Sequence, residues 1–414
     1  MATEIRPMTT EEVPAYVELI HGSYPGTDLE TPQQKAALTE RFTSRMGEMV
    51  PVGVFEGGGM IGGMIQYPFV MNWRGVLLQA GGIGMVATGL MHRKEHVARD
   101  LVRYFIESER ERGALFALLY PFSPEFYRRM GFAFGARRMQ YELMPAQLPA
   151  IGDRRRCRPL TEADIEPLRD HCRRLVLARH GMLMKREYEL KAMVSGEPRI
   201  VGVYEGERLT GFLRYHFGKE IGGNFLIYDL NVNEFSYETN LAFGSLVAFL
   251  HSLGDQVRRV RISTDDPEFY QIAEDPRDAS GILFNVVHHK IDIGGVGLMV
   301  RWTGAHLPEE MLEQAKFGSG KAVVALEVED TLVSTRITTT CIAFDHGKAH
   351  RTDLQPSAVR VQLGVADYSA LLMGSVSLAS LARFGRASIA PESELEHISH
   401  IFRTEAPPFC TTDF

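Results

Sequence analysis

The sequence predicts two copies of one α/β domain followed by a separate α+β domain. A hairpin motif occurs twice, as VGVFEGGGMIGGM from Val52 and as VGVYEGERLTGFL from Val201. A similar phrase precedes each copy, RPMTTEE from Arg6 and RPLTEAD from Arg158. The pattern changes from about Gly295, and at 414 residues the chain is longer than one hydrophobic core normally serves.

Each predicted copy begins with a helical region, Thr10–Met46 in the first and Thr161–Met193 in the second. A threonine followed by acidic residues is typical of a helix N-cap. Each hairpin then alternates strand residues around a Glu-Gly turn. Two unrelated hairpins with the same turn chemistry would look alike, because glycine is common in turns, but the matching flanks favour a duplication. We therefore predict domains at residues 1–150, 151–294 and 295–414, with residues 145–159 as the first linker.

In the first copy, the predicted strand MVATGL leads into the basic turn His92-Arg93-Lys94 and an amphipathic helix. A second strand, ALFALLY, and a loop with Tyr127 follow. Backbone N–H groups at a helix start lack partners, and the helix dipole there favours negative charge. The alternative is a solvated basic helix start, but cations there oppose the dipole and need another reason. The arrangement favours a site for a phosphorylated ligand.

The second copy differs at the corresponding place. Its strand LIYDLNV is predicted to lead into a turn with Glu234 and Glu238, whose carboxylates would repel phosphate. We therefore expect one cofactor site per chain, and a structural or substrate-lining second copy. In the last domain, helical spacing at Leu307–Lys316 precedes the strand-like runs AVVALEVED and ITTTCIAFD, and helical spacing returns over Asp367–Phe384, interrupted by Gly374.

Composition excludes several classes of function. The net charge of −7 argues against a general nucleic-acid binder and suits a cationic substrate. The N-terminus has charges where a signal peptide is apolar, and no run of about 18 apolar residues is present. The histidines lack paired metal spacing. The four scattered cysteines, Cys157, Cys172, Cys341 and Cys410, are typical of free thiols. We expect a cytoplasmic protein without a metal, a membrane span or a nucleic-acid partner.

The segment Gly82–Gly131 resembles the acetyl-CoA site of GNAT-fold N-acetyltransferases. That fold uses an R/Q-x-x-G-x-G/A turn after a splayed strand; residues 93–98, RKEHVA, align with it, and His96 stands at the usual glycine. The resemblance implies that the turn holds the pyrophosphate and that Val86 to Thr88 pair with the pantetheine amides. The implied cofactor-binding residues are Val86, Ala87, Thr88, Arg93, Lys94, Glu95, His96, Val97, Ala98, Arg99, Phe122 and Ser123.

The whole chain is similar to the Eis (enhanced intracellular survival) branch of that fold. Those proteins have a GNAT domain, a degenerate second GNAT domain and a C-terminal domain like sterol carrier protein, which is the order predicted here. Tyr127, in FYRRMGF, falls on the family's general-acid tyrosine, and Phe414 falls on the last residue, whose α-carboxylate acts as base. The resemblance implies an acetyl-CoA-dependent N-acetyltransferase and a homo-oligomer, in the family a hexamer. The implied acceptor is a small cationic amine, either aminoglycoside-like or a lysine or polyamine. Asp28 and Asp413 are candidates for the acceptor's surroundings, against the alternative of ordinary surface carboxylates.

The implied chemistry is acyl transfer to a neutral amine. An α-carboxylate titrates at about 3.5 and an alkylammonium at about 10, so direct deprotonation by Phe414 needs burial to bring these values together. A water relay is the other route. Tyr127 can give a proton to the leaving thiolate, and a backbone N–H near Val86 can polarise the thioester carbonyl. The alternative function is a non-catalytic lipid-binding or other apolar-ligand-binding protein with a vestigial GNAT module. The intact basic turn, Tyr127 and Phe414 argue against it.

Overall fold

The structure is a computed structural model that describes residues 3–221, 224–264, 266, 268–274, 292–304, 307–334 and 336–414. It divides into two compact units. The first comprises Met1–Gly135, Leu298–Pro408 and Asp413–Phe414, and the second comprises Ala136–Gly297 and Phe409–Thr412.

The strands and helices follow one another along both units. In chain order the strands are β1 (Glu4–Pro7), β2 (Val50–Glu56), β3 (Gly59–Trp73), β4 (Val76–Thr88), β5 (Phe116–Leu119), β6 (Ala133–Phe134), β7 (Arg138–Leu143), β8 (Cys157–Pro159), β9 (Arg199–Glu205), β10 (Arg208–Ile221), β11 (Asn224–Tyr237), β12 (Val257–Thr264), β13 (Asp292–Gly295), β14 (Met299–Trp302), β15 (Lys321–Glu329), β16 (Thr338–Asp345), β17 (Lys348–Arg351), β18 (Val359–Gly364) and β19 (Ala387–Ala390). The α-helices are α1 (Val13–Ser23), α2 (Pro32–Thr43), α3 (Val97–Glu111), α4 (Pro124–Arg128), α5 (Ile165–Ala178), α6 (Glu187–Val194), α7 (Asn240–His251), α8 (Glu309–Gln314), α9 (Val365–Met373), α10 (Leu378–Arg383) and α11 (Leu395–Phe402).

The first unit contains a sheet in the order β1-β2-β3-β4-β5-β14-β6. Only β4 and β5 are parallel, and they pair only from Ala80 to Gly82, so the last residues of β4 separate from β5. This separation is the splayed strand expected from the sequence. Helix α3 buries Leu101, Phe105 and Ile106 on one face, the spacing of an amphipathic helix against a sheet. It begins at Val97, three residues after the last residue of the basic turn, and not directly at it.

The same unit contains a second, five-stranded sheet in the order β17-β16-β15-β18-β19 with helices α8 to α11. The helix and the strand runs predicted between residues 307 and 345 are confirmed. The predicted interruption at Gly374 is also confirmed, because this glycine, with φ +66°, ends α9. Buried Arg74 connects the two sheets, donating to the carbonyls of Leu372 (3.0 Å) and Lys316 (3.2 Å) and also to that of Phe402.

The second unit repeats the first sheet in the order β13-β7-β12-β11-β10-β9-β8. Its β11 and β12 are parallel, as β4 and β5 are. The N-cap arrangement is also repeated: Arg6 binds Glu12 at 2.7 Å, and Arg158 binds Asp164 at 2.6 Å. The predicted duplication is therefore confirmed in strand order and in local chemistry.

One prediction for the second copy was wrong. Residues 233–237 are the end of β11 and not a turn, because Phe235 and Ser236 pair with Leu213 and Phe212 of β10. Glu234 binds Lys185 at 3.0 Å and Arg214 at 3.1 Å. The carboxylate is thus neutralised inside the fold and does not face a phosphate-sized opening.

Candidate active site

The end of β4 contains a β-bulge. Gly63 of β3 faces Ala87, whereas Ile65 faces Gly84, so β4 carries one extra residue, and Met85 adopts φ +50°. Two tyrosine hydroxyls bind the carbonyls of the bulge: Tyr16 of α1 donates to Met85 O at 2.5 Å, and Tyr24, directly after α1, donates to Val86 O at 2.8 Å. The bulge is thereby turned toward α1 by side chains more than sixty residues away.

Gly63 explains how Tyr16 reaches the bulge. A Cβ built at Gly63 would lie 2.7 Å from ring carbons of Tyr16, so any larger residue would displace the ring. Tyr16 is fully buried. Ser23, the last residue of α1, adds a third hydrogen bond to β4, from its Oγ to Thr88 O at 3.1 Å.

The start of α3, just after the basic turn, presents backbone N–H groups that have no partner within the helix. Lys94 (φ +70°) and His96 (φ +65°) are both left-handed, and the first hydrogen bond of α3 runs from Asp100 N to His96 O at 3.0 Å. The N–H groups of residues 97–99 precede that bond, and the residue at the N-cap supplies no side-chain acceptor for them. His96 thus adopts the backbone conformation that glycine favours, which histidine enters more readily than most residues.

A cavity of about 960 Å³ opens over this turn. Of the cofactor-binding residues expected from the sequence, its lining contains Val86, Thr88, Arg93, Lys94, His96, Val97, Ala98, Arg99 and Phe122. Ala87, Glu95 and Ser123 lie outside the lining. Ala87 is buried on the opposite side of the strand, the Glu95 carboxylate contacts His92 Nδ1 at 2.9 Å, and Ser123 is the N-cap of α4.

Further lining residues were not foreseen from the sequence: Ser23, Tyr24, Phe126, Arg129, Met130, Thr331 and Leu332. The first two lie at the end of α1 and directly after it, and the last two follow β15. These residues are far from the basic turn along the chain, so no local sequence pattern links them to it. Only the polar end of α1, Ser23-Tyr24, distinguishes it from a helix that is merely packed on the sheet.

The cavity has a cationic wall. Arg93, Lys94, Arg99 and Arg129 line it, and within the described part of the chain no Asp or Glu side chain does. Arg129 also pairs with Glu125 at 2.5 Å outside the lining. Together with the free N–H groups at the start of α3, this charge suits an anionic ligand with several phosphate groups.

Tyr127 lies on the five-residue helix α4 and is buried among aromatic rings. The ring centroids of Phe126, Phe122 and Phe132 are 5.2, 5.5 and 5.9 Å away. Burial, with a smaller effect of Tyr24, raises the pKa of Tyr127 well above its usual 10. The hydroxyl is therefore protonated at neutral pH, as a proton donor must be.

The last residue of the chain lies beside β4. The ring of Phe414 packs against Phe69, Tyr120 and Tyr67, with centroid distances of 4.9, 5.5 and 5.6 Å. A Cβ built at Gly84 would lie 3.6 Å from the carboxyl carbon of Phe414. The terminal carboxylate thus sits next to the residue that precedes the bulge. Asp413 and Asp28 are exposed and do not line the cavity.

In the second unit, side chains fill the place that corresponds to the cavity beside Val86 in the first unit. Gly211 pairs with Tyr237 as Gly62 pairs with Thr88, so Phe235 corresponds to Val86. The cavity beside Phe235 measures about 20 Å³, room for about one water molecule. Phe409 and Thr411 of the tail line it, and Phe409 N donates to His180 O at 2.9 Å.

Two further searches concern only the described residues. None of their helices combines the length and the apolar character needed to span a membrane. They also contain no group of three or more His, Cys, Asp or Glu side chains arranged to hold a metal ion.

Comparison with known proteins agrees with this architecture. Residues 4–135 and 176–291 match models of acetyltransferase (GNAT) domains, and residues 308–411 match a model of the sterol carrier protein domain. An uncharacterised N-acetyltransferase of Streptomyces coelicolor is 24% identical over 365 residues, which cover 82% of each chain.

Two solved structures have the same fold over 100% of both chains. A GCN5-related N-acetyltransferase from Kribbella flavida has a TM-score of 0.79 at 20% identity. Eis1 from Mycobacterium abscessus has a TM-score of 0.74 at 19% identity. The chain thus consists of two acetyltransferase (GNAT) domains followed by a sterol carrier protein domain, the order predicted from the sequence, and it belongs to the GNAT N-acetyltransferases.

Proposed function

We propose that the first GNAT domain transfers the acetyl group of acetyl-CoA to an amine of a small cationic molecule, with Tyr127 as general acid and the Phe414 carboxylate as general base. One observation carries the proposal: the carboxyl carbon of Phe414 lies 3.6 Å from the Cβ position of Gly84, just before the bulge that borders the cationic cavity. Contacts with three aromatic rings hold Phe414 in a defined position.

The residues around the cavity fit acetyl-CoA. A volume of about 960 Å³ is at the upper end of the range for small-molecule sites. Arg93, Lys94 and Arg99, with the N–H groups at the start of α3, would hold the phosphates. Val86 and Thr88, on the edge of β4 that β5 leaves free, would bind the pantetheine arm. GNAT domains use acetyl-CoA as co-substrate, and when bound it supplies the thioester that the amine attacks.

Each protein group then has a defined proton task. The Phe414 carboxylate receives the proton that the substrate ammonium loses, directly or through a water molecule. Tyr127 gives its proton to the departing sulfur and is reprotonated through solvent by the second proton that the nitrogen releases as the amide forms, while the Phe414 carboxylate passes the first proton to solvent. An N–H group of the bulge donates to the thioester oxygen as negative charge develops there.

The acceptor approaches from the side of Phe414. The cavity wall is cationic and would repel an ammonium group, whereas the terminal carboxylate attracts it. The net charge of −7 favours the same class of substrate. We therefore propose an aminoglycoside-like, lysine or polyamine acceptor. A hexameric assembly stays a prediction from the family resemblance, which sedimentation velocity tests, and a cytoplasmic location stays a prediction from the sequence.

The test is release of free CoA thiol over a panel of amines, preceded by isothermal titration with acetyl-CoA. We expect binding in the micromolar range that most such enzymes show, and thiol release only when a polyamine or aminoglycoside is added. Absence of acetyl-CoA binding would instead support an apolar-ligand carrier with a vestigial GNAT module. Binding with thiol release by neutral alcohols but not by amines would refute the acceptor class.

A further inference from the structure

The acetyl-CoA cavity includes residues from the sterol carrier protein domain. Thr331 and Leu332 line it, whereas its other lining residues lie between positions 23 and 130. Both directly follow β15, a strand of the C-terminal sheet. The C-terminal domain therefore borders the space in which we place the coenzyme.

The turn that carries these residues has a fixed shape. Asp330 Oδ1 accepts the N–H groups of Leu332 at 3.1 Å and Val333 at 3.4 Å. Arg301 Nη2 donates to both oxygens of Asp330, at 2.9 and 2.7 Å, and Arg301 is fully buried. Removing either partner of a buried, hydrogen-bonded ion pair strongly destabilises a fold. The pair of Arg301 and Asp330 therefore holds this turn in a defined conformation.

The same cluster contacts the elements that form the acetyl-CoA site. Arg103 of α3 donates from Nε to Leu332 O at 3.2 Å. Arg301 also lies against Gly131, where a Cβ would come within 1.9 Å of Nη1, and Gly131 has φ +85°. Gly131 directly follows Met130, which lines the cavity. The turn is thus held between the phosphate-binding helix and the segment that follows Tyr127.

We propose that the turn Asp330–Val333 is part of the acetyl-CoA binding site, with Leu332 in apolar contact with the coenzyme. Binding of the coenzyme and packing of the sterol carrier protein domain against α3 then stabilise each other, because coupling between two equilibria is reciprocal. The proposal rests on the proposed function, since it needs acetyl-CoA in this cavity. It gives the C-terminal domain a role in cofactor affinity in addition to carrying Phe414.

The experiment uses the full chain and coenzyme A without acceptor. Hydrogen exchange of peptides covering residues 330–334 is measured with and without coenzyme A, and Kd is measured by titration calorimetry. We expect slower exchange in the complex and a Kd about threefold or more higher for Leu332→Ala, because Leu332 is 7% exposed and its truncation removes both its remaining contact with the coenzyme and part of the cavity wall. The matched control is Leu326→Ala, fully buried in β15 but outside the cavity lining.

Leu326→Ala should lower the melting temperature and leave Kd within about twofold. An unchanged Kd for Leu332→Ala, or an equal rise in Kd for both variants, overturns the proposal while coenzyme binding by the wild type preserves the proposed function. If the wild type does not bind coenzyme A, both fail together.

Discussion

The hydroxyl of Tyr16 should be required for acetyl transfer although it does not line the cavity. Tyr16→Phe removes the donor to Met85 O, a bond of 2.5 Å, and leaves the ring in place beside Gly63. Met85 is held at φ +50°, a backbone conformation that costs a non-glycine residue about 1–3 kcal/mol. Without the hydroxyl, the bulge loses the hydrogen bond to Met85 O that offsets this cost.

The expected magnitude follows from the bond that is lost. A carbonyl left without its partner in a buried site costs about 1–3 kcal/mol. If 1–2 kcal/mol of this favours a relaxed β4, the ratio of molecules with the correct bulge to molecules with a relaxed β4 falls about five- to thirtyfold. We expect kcat/KM for acetyl-CoA to fall by up to that factor.

A second substitution separates the role of the bulge from general stability. Glycine adopts positive φ without strain, so Met85→Gly in the Tyr16→Phe background should recover most of the lost rate, whereas Met85→Ala should not. The matched control is Tyr204→Phe, which removes a phenol hydrogen bond of 2.7 Å to Asp164 in the second unit and should leave turnover unchanged. Initial rates of thiol release give the comparison. Wild-type kcat/KM in Tyr16→Phe, or no recovery with Met85→Gly, would refute this reasoning.

Three further predictions concern other groups of the first unit. Replacing Arg93 and Lys94 together by Ala should raise the Kd for coenzyme A at least about tenfold and reduce the salt dependence of that Kd. Arg155→Ala, on an exposed segment, should change neither quantity. Titration calorimetry at several salt concentrations measures both, and equal salt slopes for the double variant and the wild type would contradict a role of the cationic wall in binding. Tyr127→Phe should lower kcat by about 10²–10⁴ with little change in acetyl-CoA affinity, and unchanged turnover would exclude the acid role. Burial raises the pKa of Glu109 from its usual 4.5 to about 7, against the effect of Arg112. Because the folded state retains a proton that the unfolded state has released, the free energy of unfolding should decrease as pH rises from about 4.5 through 7. Glu109→Gln should remove this slope in denaturant titrations, and an identical slope would contradict the assignment.

The repeated elements of the fold could be predicted because their signals are local. The hairpins from Val52 and Val201 have alternating strands around a Glu-Gly turn, and the N-caps near Thr9 and Thr161 have acidic residues at fixed spacing. The partners of β7 and β14 could not be predicted in this way. β14 pairs with β5 in the first sheet and β7 pairs with β12 in the second, and such long-range pairing leaves no periodic trace in either segment.

The candidate site likewise has a part that the sequence predicts and a part that it does not. The basic turn and the start of α3 are contiguous, so the residues around Arg93 could be proposed from sequence. The hydroxyls of Tyr16 and Tyr24 bind backbone carbonyls of the bulge that lie 69 and 62 positions further along the chain. In the sequence, each tyrosine is indistinguishable from an aromatic residue of the core. Likewise, Leu332 reaches the cavity only through the buried contacts of Asp330 and Arg103. The prediction of a turn at the end of β11 is wrong because a carboxylate in a sequence does not reveal its partners, and in the fold Lys185 and Arg214 neutralise Glu234.

The most direct test of the proposed mechanism is the turnover of a chain extended by one glycine after Phe414. The extension moves the carboxylate by about 3.5 Å while the Phe414 ring can keep its contacts with Phe69 and Tyr120. We predict a fall in kcat of about 10²-fold or more, with the melting temperature and the Kd for acetyl-CoA unchanged. Phe414→Leu, which keeps a terminal carboxylate at the same position, should retain more activity than the extended chain. An extended chain with wild-type kcat would contradict the role of the terminal carboxylate as base.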